Sequence, residues 1–225
     1  MDKRDLKTEA LILRRTNYGE TDRILNVLTP LGKKSVLAKG VRRERSKLAG
    51  GVELFSLTEI GLHEGKGELA ILTSAKPKKF YRHLLGNVEK LEAAGEVLKL
   101  VSKRAEQVED AGFFNIAKQA IEALDEESNI EIIMAWFYLN LAKTSGEQIN
   151  LLFDDNGNRL IEGAQYSWDS TERTLKVNTN GRIGTNEIKM MRLMLLGDLG
   201  LVKRVKNDNV DISEIVYIAK ALNQM

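Results

Sequence analysis

The feature that most constrains the fold is a change of apolar periodicity at Lys76 and Pro77. Before this point, short apolar runs alternate with turn residues, which is typical of β-strands. After it, apolar residues recur at the spacing of amphipathic helices. The turn Thr29–Gly32 joins two of the runs as a hairpin, and a glycine-containing segment separates two more, around residues 52–61 and 67–75. Five short strands in roughly 75 residues predict a small closed barrel.

We therefore predict a multidomain β + α protein, with a β-barrel over residues 1–79 and a mainly helical domain over residues 80–225. The oligonucleotide-binding (OB) fold and an SH3-like barrel both fit the strand pattern. Within the helical domain, a capping box, Asp211-x-x-Glu214, predicts the start of the last helix. A return to strand-like runs on either side of Asp155–Asn158 predicts a hairpin within a small β insert at about residues 150–183.

The charge of the chain is segregated along its length. Residues 1–83 carry 18 Lys and Arg against 10 Asp and Glu, a net charge of +8. The remaining residues carry a net charge of −6, so the overall charge is only +2. Segregation on this scale predicts that the first third of the chain attracts polyanions.

The densest positive charge lies between Lys33 and Lys47, where seven basic residues accompany one acidic residue. Lysines that protect a strand edge would be one explanation. Arg42, Arg43 and Arg45 favour a phosphate-binding loop instead, because the planar guanidinium matches phosphate oxygens. Arg14 and Arg15 at the end of the first strand extend the set. The candidate polyanion-binding residues are Arg14, Arg15, Lys33, Lys34, Lys39, Arg42, Arg43, Arg45 and Lys47.

Further residues in the first third are secondary candidates. The basic residues at the predicted junction, Lys76, Lys78, Lys79 and Arg82, would enlarge the positive surface. Tyr18, Phe55 and Tyr81 are aromatic side chains on which bases could stack. Packing into the core is the alternative for each of the three, and we prefer it for Phe55.

Motifs for catalysis are weak, and we expect a protein that is not an enzyme and has no cofactor. There is no cysteine, and two histidines alone make a poor zinc site. Gly32–Ser35 resembles the end of a P-loop, but the leading glycine is replaced by Val27. Asp154 and Asp155 with Glu162 could hold Mg²⁺ for a nuclease, although turn residues are the simpler interpretation.

The apolar run at residues 132–142 is too short for a membrane span, and the first residues lack the apolar run of a secretory signal. We therefore expect a cytoplasmic protein that is not associated with a membrane.

Several segments resemble the RecO family of bacterial DNA-repair proteins. These segments are Thr8–Arg15, Tyr18–Asp22, Leu28–Pro30, Gly32–Lys33, Ala38–Arg43, Arg45–Leu48 and Glu53–Phe55. Their order and spacing match across about residues 6–57, whereas the rest of the chain resembles the family only in its layout. The family's basic barrel positions coincide with the candidates above, except for Lys34.

The resemblance implies an OB-fold that binds single- and double-stranded DNA and anneals complementary strands without nucleotide hydrolysis. It implies a recombination mediator that helps to load RecA on gapped DNA coated by the single-strand-binding protein. The implied partners are a RecR-like protein, the single-strand-binding protein and, in some members, RecF. The implied location is the bacterial nucleoid. Many members hold zinc with four cysteines in the insert. Because this chain has no cysteine, we predict no zinc, with packing of Phe153, Ile161, Trp168 and Val177 in its place.

Three other functions remain open from the residues alone. An OB-fold that binds structured RNA would prefer RNA to single-stranded DNA of the same length. A nuclease that uses the acidic hairpin would need Mg²⁺ and would lose activity in Asp154→Ala. An adaptor would work through its acidic helical domain and would lose partner binding, but not DNA binding, when that domain is altered.

Overall fold

The computed structural model describes residues 4–64, 69–106, 110–126, 129–205 and 208–224. The chain divides into two compact units, Met1–Glu126 and Glu127–Met225. The first unit contains a barrel, which ends at Phe80, and two helices. The boundary predicted at residue 79 therefore marks the end of the barrel, whereas the division between the compact units follows the second helix.

Five strands form the barrel. They are β1 (Arg4–Tyr18), β2 (Asp22–Thr29), β3 (Gly32–Ala38), β4 (Ser56–Glu64) and β5 (Ala70–Phe80). Their order is β1-β2-β3-β5-β4, and antiparallel pairing of β1 with β4 closes the barrel. The pairing of β3 with β5 is parallel. This arrangement is an OB-fold, so the predicted combination of an OB-fold with a mainly helical remainder is confirmed.

Alternate residues of the strands fill the barrel, as the period of two in a strand requires. Leu25 and Val27 on β2 point inward with Val36 and Ala38 on β3, and none of the four is exposed to solvent. The β1–β2 register places Arg14 opposite Asn26 and Arg15 opposite Leu25. Arg14 therefore lies on the outer face of the barrel, and this face carries the side chains that remain available to a ligand.

Pro77 does not end the last strand, as its sequence position suggested. It lies inside β5, opposite Thr58, at an irregularity where Lys79 pairs with Leu57 and Lys78 is the extra residue. Proline lacks a backbone N–H and is tolerated in sheets at bulges and on strand edges. In this stretch β5 pairs with β4, whereas its pairs with β3 are limited to Ala70 and Ile71. The strand therefore continues through Pro77 to Phe80.

Two helices, α1 (Val88–Arg104) and α2 (Gly112–Glu126), complete the first unit. The buried Asp125 of α2 accepts hydrogen bonds from the backbone N–H groups of His83 (2.8 Å) and Leu84 (3.2 Å), just after the barrel. Lys118 of α2 also lies 3.2 Å from Glu9 of β1. These contacts join α2 to the barrel, which explains why the compact unit includes both helices.

The second unit contains four helices and a two-stranded sheet among the described residues. In chain order these are α3 (Ile130–Thr144), β6 (Tyr166–Asp169), β7 (Thr174–Val177), α4 (Thr185–Leu195), α5 (Leu199–Val202) and α6 (Ile212–Leu222). The residues of α3 from Ile132 to Ala142 are all buried, and the helix packs against α4, α5 and α6. The predicted cap of the last helix is present, since Asp211 accepts a hydrogen bond from the Glu214 N–H at 3.1 Å. None of the described helices has the length and apolar character of a membrane span.

The packing predicted for the insert is wrong for two of its four residues, whereas Phe153 and Trp168 are half-buried. Ile161 and Val177 are 65% and 60% exposed, so they do not form its core. Tyr166, Leu175 and Ile183 are buried instead, and the Tyr166 hydroxyl accepts a hydrogen bond from the Ile161 N–H at 2.9 Å. The predicted hairpin around residues 155–158 is short: one bridge joins Phe153 and Arg159, and the Leu160 N–H donates a 3.0 Å hydrogen bond to the Leu152 carbonyl. Leu175 and Val177 are two residues apart and share one face of β7, but only Leu175 is covered, whereas Val177 at the end of the strand is exposed.

Candidate nucleic-acid interface

The segment after β3, residues 39–48, is held against the turn between β1 and β2. We call it the basic loop. The Gly40 N–H donates a 2.7 Å hydrogen bond to Asp22 Oδ1, and the Arg42 N–H donates a 2.9 Å bond to the Thr21 carbonyl. The Arg42 guanidinium adds a 3.3 Å bond to the Gly19 carbonyl. Gly40 has a φ of +62°, a conformation that costs glycine little. The loop and the turn therefore form one continuous surface.

Asp22, at the start of β2, holds the basic loop through the Gly40 bond. The bond from the Gly40 N–H lowers the pKa of the Asp22 carboxyl below its ordinary value, and the bond from the Thr21 hydroxyl acts in the same direction. The positive charges of Arg43 and Lys39 lower this pKa further. A carboxylate that accepts several hydrogen bonds is stabilised in its ionised form. Asp22 is therefore ionised at neutral pH and anchors the loop.

The cationic side chains of the basic loop are available to a ligand. Lys39, Arg42, Arg43, Arg45 and Lys47 are all exposed. Within the described ranges, none of the five forms an ion pair with a carboxylate. Arginine and lysine groups without an acidic partner can bind phosphate oxygens without first breaking an internal salt bridge. The structure thus brings together five of the nine predicted residues.

Arg14 is a sixth available cation, on the outer face of the barrel. Its cross-strand neighbour on β2 is Asn26, and the cross-strand neighbour of Asn26 on β3 is Ser35. The Ser35 hydroxyl lies 3.1 Å from Asn26 Oδ1. Arg14 is exposed and has no acidic partner among the residues that the structure describes. A row of one cation and two polar side chains therefore crosses the three strands.

The other three predicted residues are engaged within the protein. Arg15 Nη1 lies 2.5 Å from Glu53 Oε2, and Lys34 Nζ lies 2.7 Å from Glu64 Oε1. Lys33 forms an ion pair with Glu106 and donates a 3.3 Å hydrogen bond to the Ser102 carbonyl at the end of α1. Local charge counting missed these pairs because each acid is far from its partner in sequence.

Two of the junction lysines, Lys78 and Lys79, are also paired. Lys78 lies 2.8 Å from Glu9, and Lys79 lies 2.7 Å from Glu126 and 3.3 Å from Glu122. The neighbouring carboxylate of Glu9 raises the pKa of Lys78, as expected for a partnered ammonium group. Lys79 therefore connects the barrel to α2, and Lys78 pairs within the barrel, so neither enlarges the open positive surface.

Of the three aromatic candidates, Tyr18 has the most exposed side chain. It lies at the end of β1 and is 55% exposed, whereas Phe55 is half-buried. Tyr81 is fully buried, and its burial, together with nearby carboxylates, raises the pKa of its hydroxyl. The prediction that Tyr81 could stack on a base is therefore wrong, because a ligand has no access to its ring.

The acidic hairpin has the geometry of a turn. The Asp154 carboxylate accepts hydrogen bonds from the backbone N–H groups of Asn156 (3.0 Å) and Asn158 (2.8 Å). No group of three or more potential metal ligands occurs in the part of the chain that the structure describes. The contacts of Asp154 thus match its interpretation as a turn residue.

Sequence reasoning missed Asp22, the residue that positions the basic loop. A signal was present, because Thr21–Asp22 belongs to one of the segments that carry the family resemblance. An aspartate before a strand is usually a turn residue, however, and Gly40 lies 18 residues away in the chain.

The chain is similar to known proteins along its length. Residues 1–81 match the family described as "Recombination protein O N terminal". A relative from Roseiflexus sp. (strain RS-1), named DNA repair protein RecO, is 35% identical over 147 residues, which are 65% of this chain and 52% of the relative. A protein of the same name from Dehalococcoides mccartyi (strain CBDB1) is 28% identical over 225 residues, covering 96% of this chain and 88% of that protein. A third protein of this name, from Alkaliphilus metalliredigens (strain QYMF), is 34% identical over 144 residues, which are 63% of this chain and 58% of that protein. The matched region thus spans little more than half of the first and third relatives.

Proposed function

Because the chain belongs to the RecO family of DNA repair proteins, we propose that it binds DNA through the basic loop and the outer face of β1–β3. It acts as a recombination mediator that anneals complementary single strands without catalysing a covalent reaction. It also helps to load a RecA-type recombinase on gapped DNA coated by single-strand-binding protein. A RecR-like protein and the single-strand-binding protein are its expected partners, with RecF as a further one.

The observation that carries this proposal is the set of unpaired cations. Arg14, Lys39 and the three arginines of the basic loop have exposed side chains and no acidic partner in the described residues. Binding of phosphates to such groups releases counterions from the nucleic acid, so affinity falls steeply with salt. Arginine additionally offers two parallel hydrogen bonds to one phosphate group.

Annealing follows from the same charges. Two complementary strands repel each other because each nucleotide carries a negative charge. A surface that neutralises phosphates on both strands lowers this repulsion and raises their local concentration, which speeds pairing. This mechanism needs neither a metal ion nor nucleotide hydrolysis.

The first test is the dependence of DNA affinity on salt concentration. Replacing Arg42, Arg43 and Arg45 together by Ala should reduce the slope of log K against log salt by up to about 2.7 on duplex and about 2.1 on a single strand. The matched control replaces three paired lysines, Lys34, Lys78 and Lys79, and removes the same charge. Its slope should stay close to that of the unaltered protein. Equal slopes in the arginine variant and the unaltered protein would contradict the assignment.

The second test measures annealing of labelled complementary oligonucleotides in EDTA without nucleotide, on bare strands and on strands coated with the cognate single-strand-binding protein. Acceleration in both cases supports a recombination mediator. Acceleration on bare strands alone would reduce the proposal to a general DNA-binding protein. A stronger effect on matched RNA strands would favour the alternative of an RNA-binding factor.

A further inference from the structure

The outer face of β1, β2 and β3 presents more than positive charge. Beyond the irregularity at Ile12–Arg14, alternate residues of β1 place Arg14, Thr16 and Tyr18 on this face. Thr16 pairs with Ile24, which pairs with Leu37 of β3. Both Ile24 and Leu37 are half-buried, so they form an apolar floor next to the row of Arg14, Asn26 and Ser35.

Tyr18 stands at one end of this floor. Its partner in the strand pair is Asp22, the residue that anchors the basic loop through Gly40. The positive charges of Lys39 and Arg43, on the same loop as Gly40, lower the pKa of the Asp22 carboxyl. An exposed aromatic ring therefore adjoins both the apolar floor and the unpaired cations of the loop, and the Asp22–Gly40 bond keeps them together.

We propose that the Tyr18 ring is a stacking platform for an unpaired base, which makes this surface selective for single strands over duplex DNA. The inference rests on the proposed DNA-binding function and deepens it, because phosphate contacts alone do not distinguish the two forms. Bases in a duplex are stacked on each other and paired, so their faces are not available to a protein ring. In a single strand, each exposed base offers a face, and stacking tolerates any sequence.

The availability of Tyr18 supports this role over a structural one. At 55% exposure, the side chain is not part of the barrel core, which consists of residues such as Leu25 and Val36. Phe55 and Tyr81, the other two aromatic candidates, are half-buried and buried. A large exposed ring next to cations that lack acidic partners is the combination used for single strands.

The test compares Tyr18→Leu with the unaltered protein on three probes of equal length. These are an oligothymidylate strand, a strand of abasic sugar-phosphate units and a duplex. Tyr18→Leu should weaken binding to oligothymidylate by about 5- to 150-fold, the range expected for one stacked base. Affinity for the abasic strand and the duplex should stay unchanged, as should the salt slope. Tyr18→Phe keeps the ring and should restore the affinity for oligothymidylate.

Tyr217→Leu is the matched control, because Tyr217 on α6 is 59% exposed and outside the barrel. It should leave all three affinities unchanged, and thermal melting checks that each variant is folded. Equal losses of Tyr18→Leu on oligothymidylate and the abasic strand would overturn the stacking role while leaving the phosphate-binding proposal intact. Unchanged affinity of Tyr18→Leu for all three probes would also overturn the stacking role. Failure of the unaltered protein to bind any probe at low salt would overturn both proposals.

Discussion

The Asp22 carboxylate accepts a 2.7 Å hydrogen bond from the backbone N–H of Gly40 and so joins the start of β2 to the loop after β3. In an OB-fold, the turn between the first two strands and the outer face of strands 2 and 3 commonly contact nucleic acids. The bond adds the basic loop to that surface. A loop ordered before binding loses less conformational entropy when the ligand arrives, which favours affinity.

Removing this anchor should weaken DNA binding without removing a cation. In Asp22→Ala we expect affinity to fall by about 2- to 10-fold, because the loop must then be ordered on binding. Asp22→Asn keeps an oxygen that can accept from Gly40 and should be affected less. Fluorescence anisotropy with a labelled strand measures both variants. Higher affinity in Asp22→Ala would contradict this prediction, because it would mean that the negative charge of Asp22 opposes binding more than its anchoring role helps.

The anchor should persist from neutral to mildly acidic pH. The Asp22 pKa is lowered from its ordinary value of 3.8, chiefly by the Gly40 bond. A carboxyl with a lowered pKa in the folded state stabilises the fold above its unfolded pKa, and this contribution is lost as the pH falls through the folded pKa. The Gly40 amide resonance in an NMR titration should therefore be constant from pH 7 to pH 5 and titrate with a midpoint below 3.8. A midpoint above 3.8 would contradict the expected stabilisation of the ionised form.

Asp154→Ala should be a stability variant and not an activity variant. The carboxylate is buried and accepts the N–H groups of Asn156 and Asn158, which would be left without this partner. We expect a loss of about 1–3 kcal/mol in the free energy of unfolding, measured by urea denaturation. Annealing in EDTA should be unchanged under conditions where the variant is folded. Loss of a Mg²⁺-dependent cleavage activity in this variant would instead support the nuclease interpretation.

Tyr81→Phe should leave stability nearly unchanged or raise it slightly. The Tyr81 hydroxyl is buried and has no hydrogen-bond partner in the described part of the structure. Tyr81→Phe removes this hydroxyl from an apolar environment that does not satisfy it. The free energy of unfolding should therefore change by less than about 1 kcal/mol. Tyr81→Ala is the contrasting variant, with an expected loss of about 3–5 kcal/mol from the cavity it leaves. A large loss in Tyr81→Phe would reveal a hydrogen bond to ordered water.

The sequence by itself determined the elements whose causes are local. Turn residues and apolar alternation located the barrel strands, and helical stripes located most of the helices, because both patterns depend on neighbouring residues. The excess of positive charge in residues 1–83 and the basic run from Lys33 to Lys47 are likewise visible in the sequence alone. The arginines of the basic loop were identifiable in this way.

Only the tertiary structure decided which of these charges are available. Arg15 meets Glu53 and Lys33 meets Glu106 across 38 and 73 residues, and such partners depend on how the strands and helices pack. The same holds for the burial of Tyr81 and the exposure of Tyr18. Pro77 stays in a strand because its neighbours in the sheet require no N–H from it. Pairing, burial and register are properties of residues that are distant in sequence, so local patterns did not contain them.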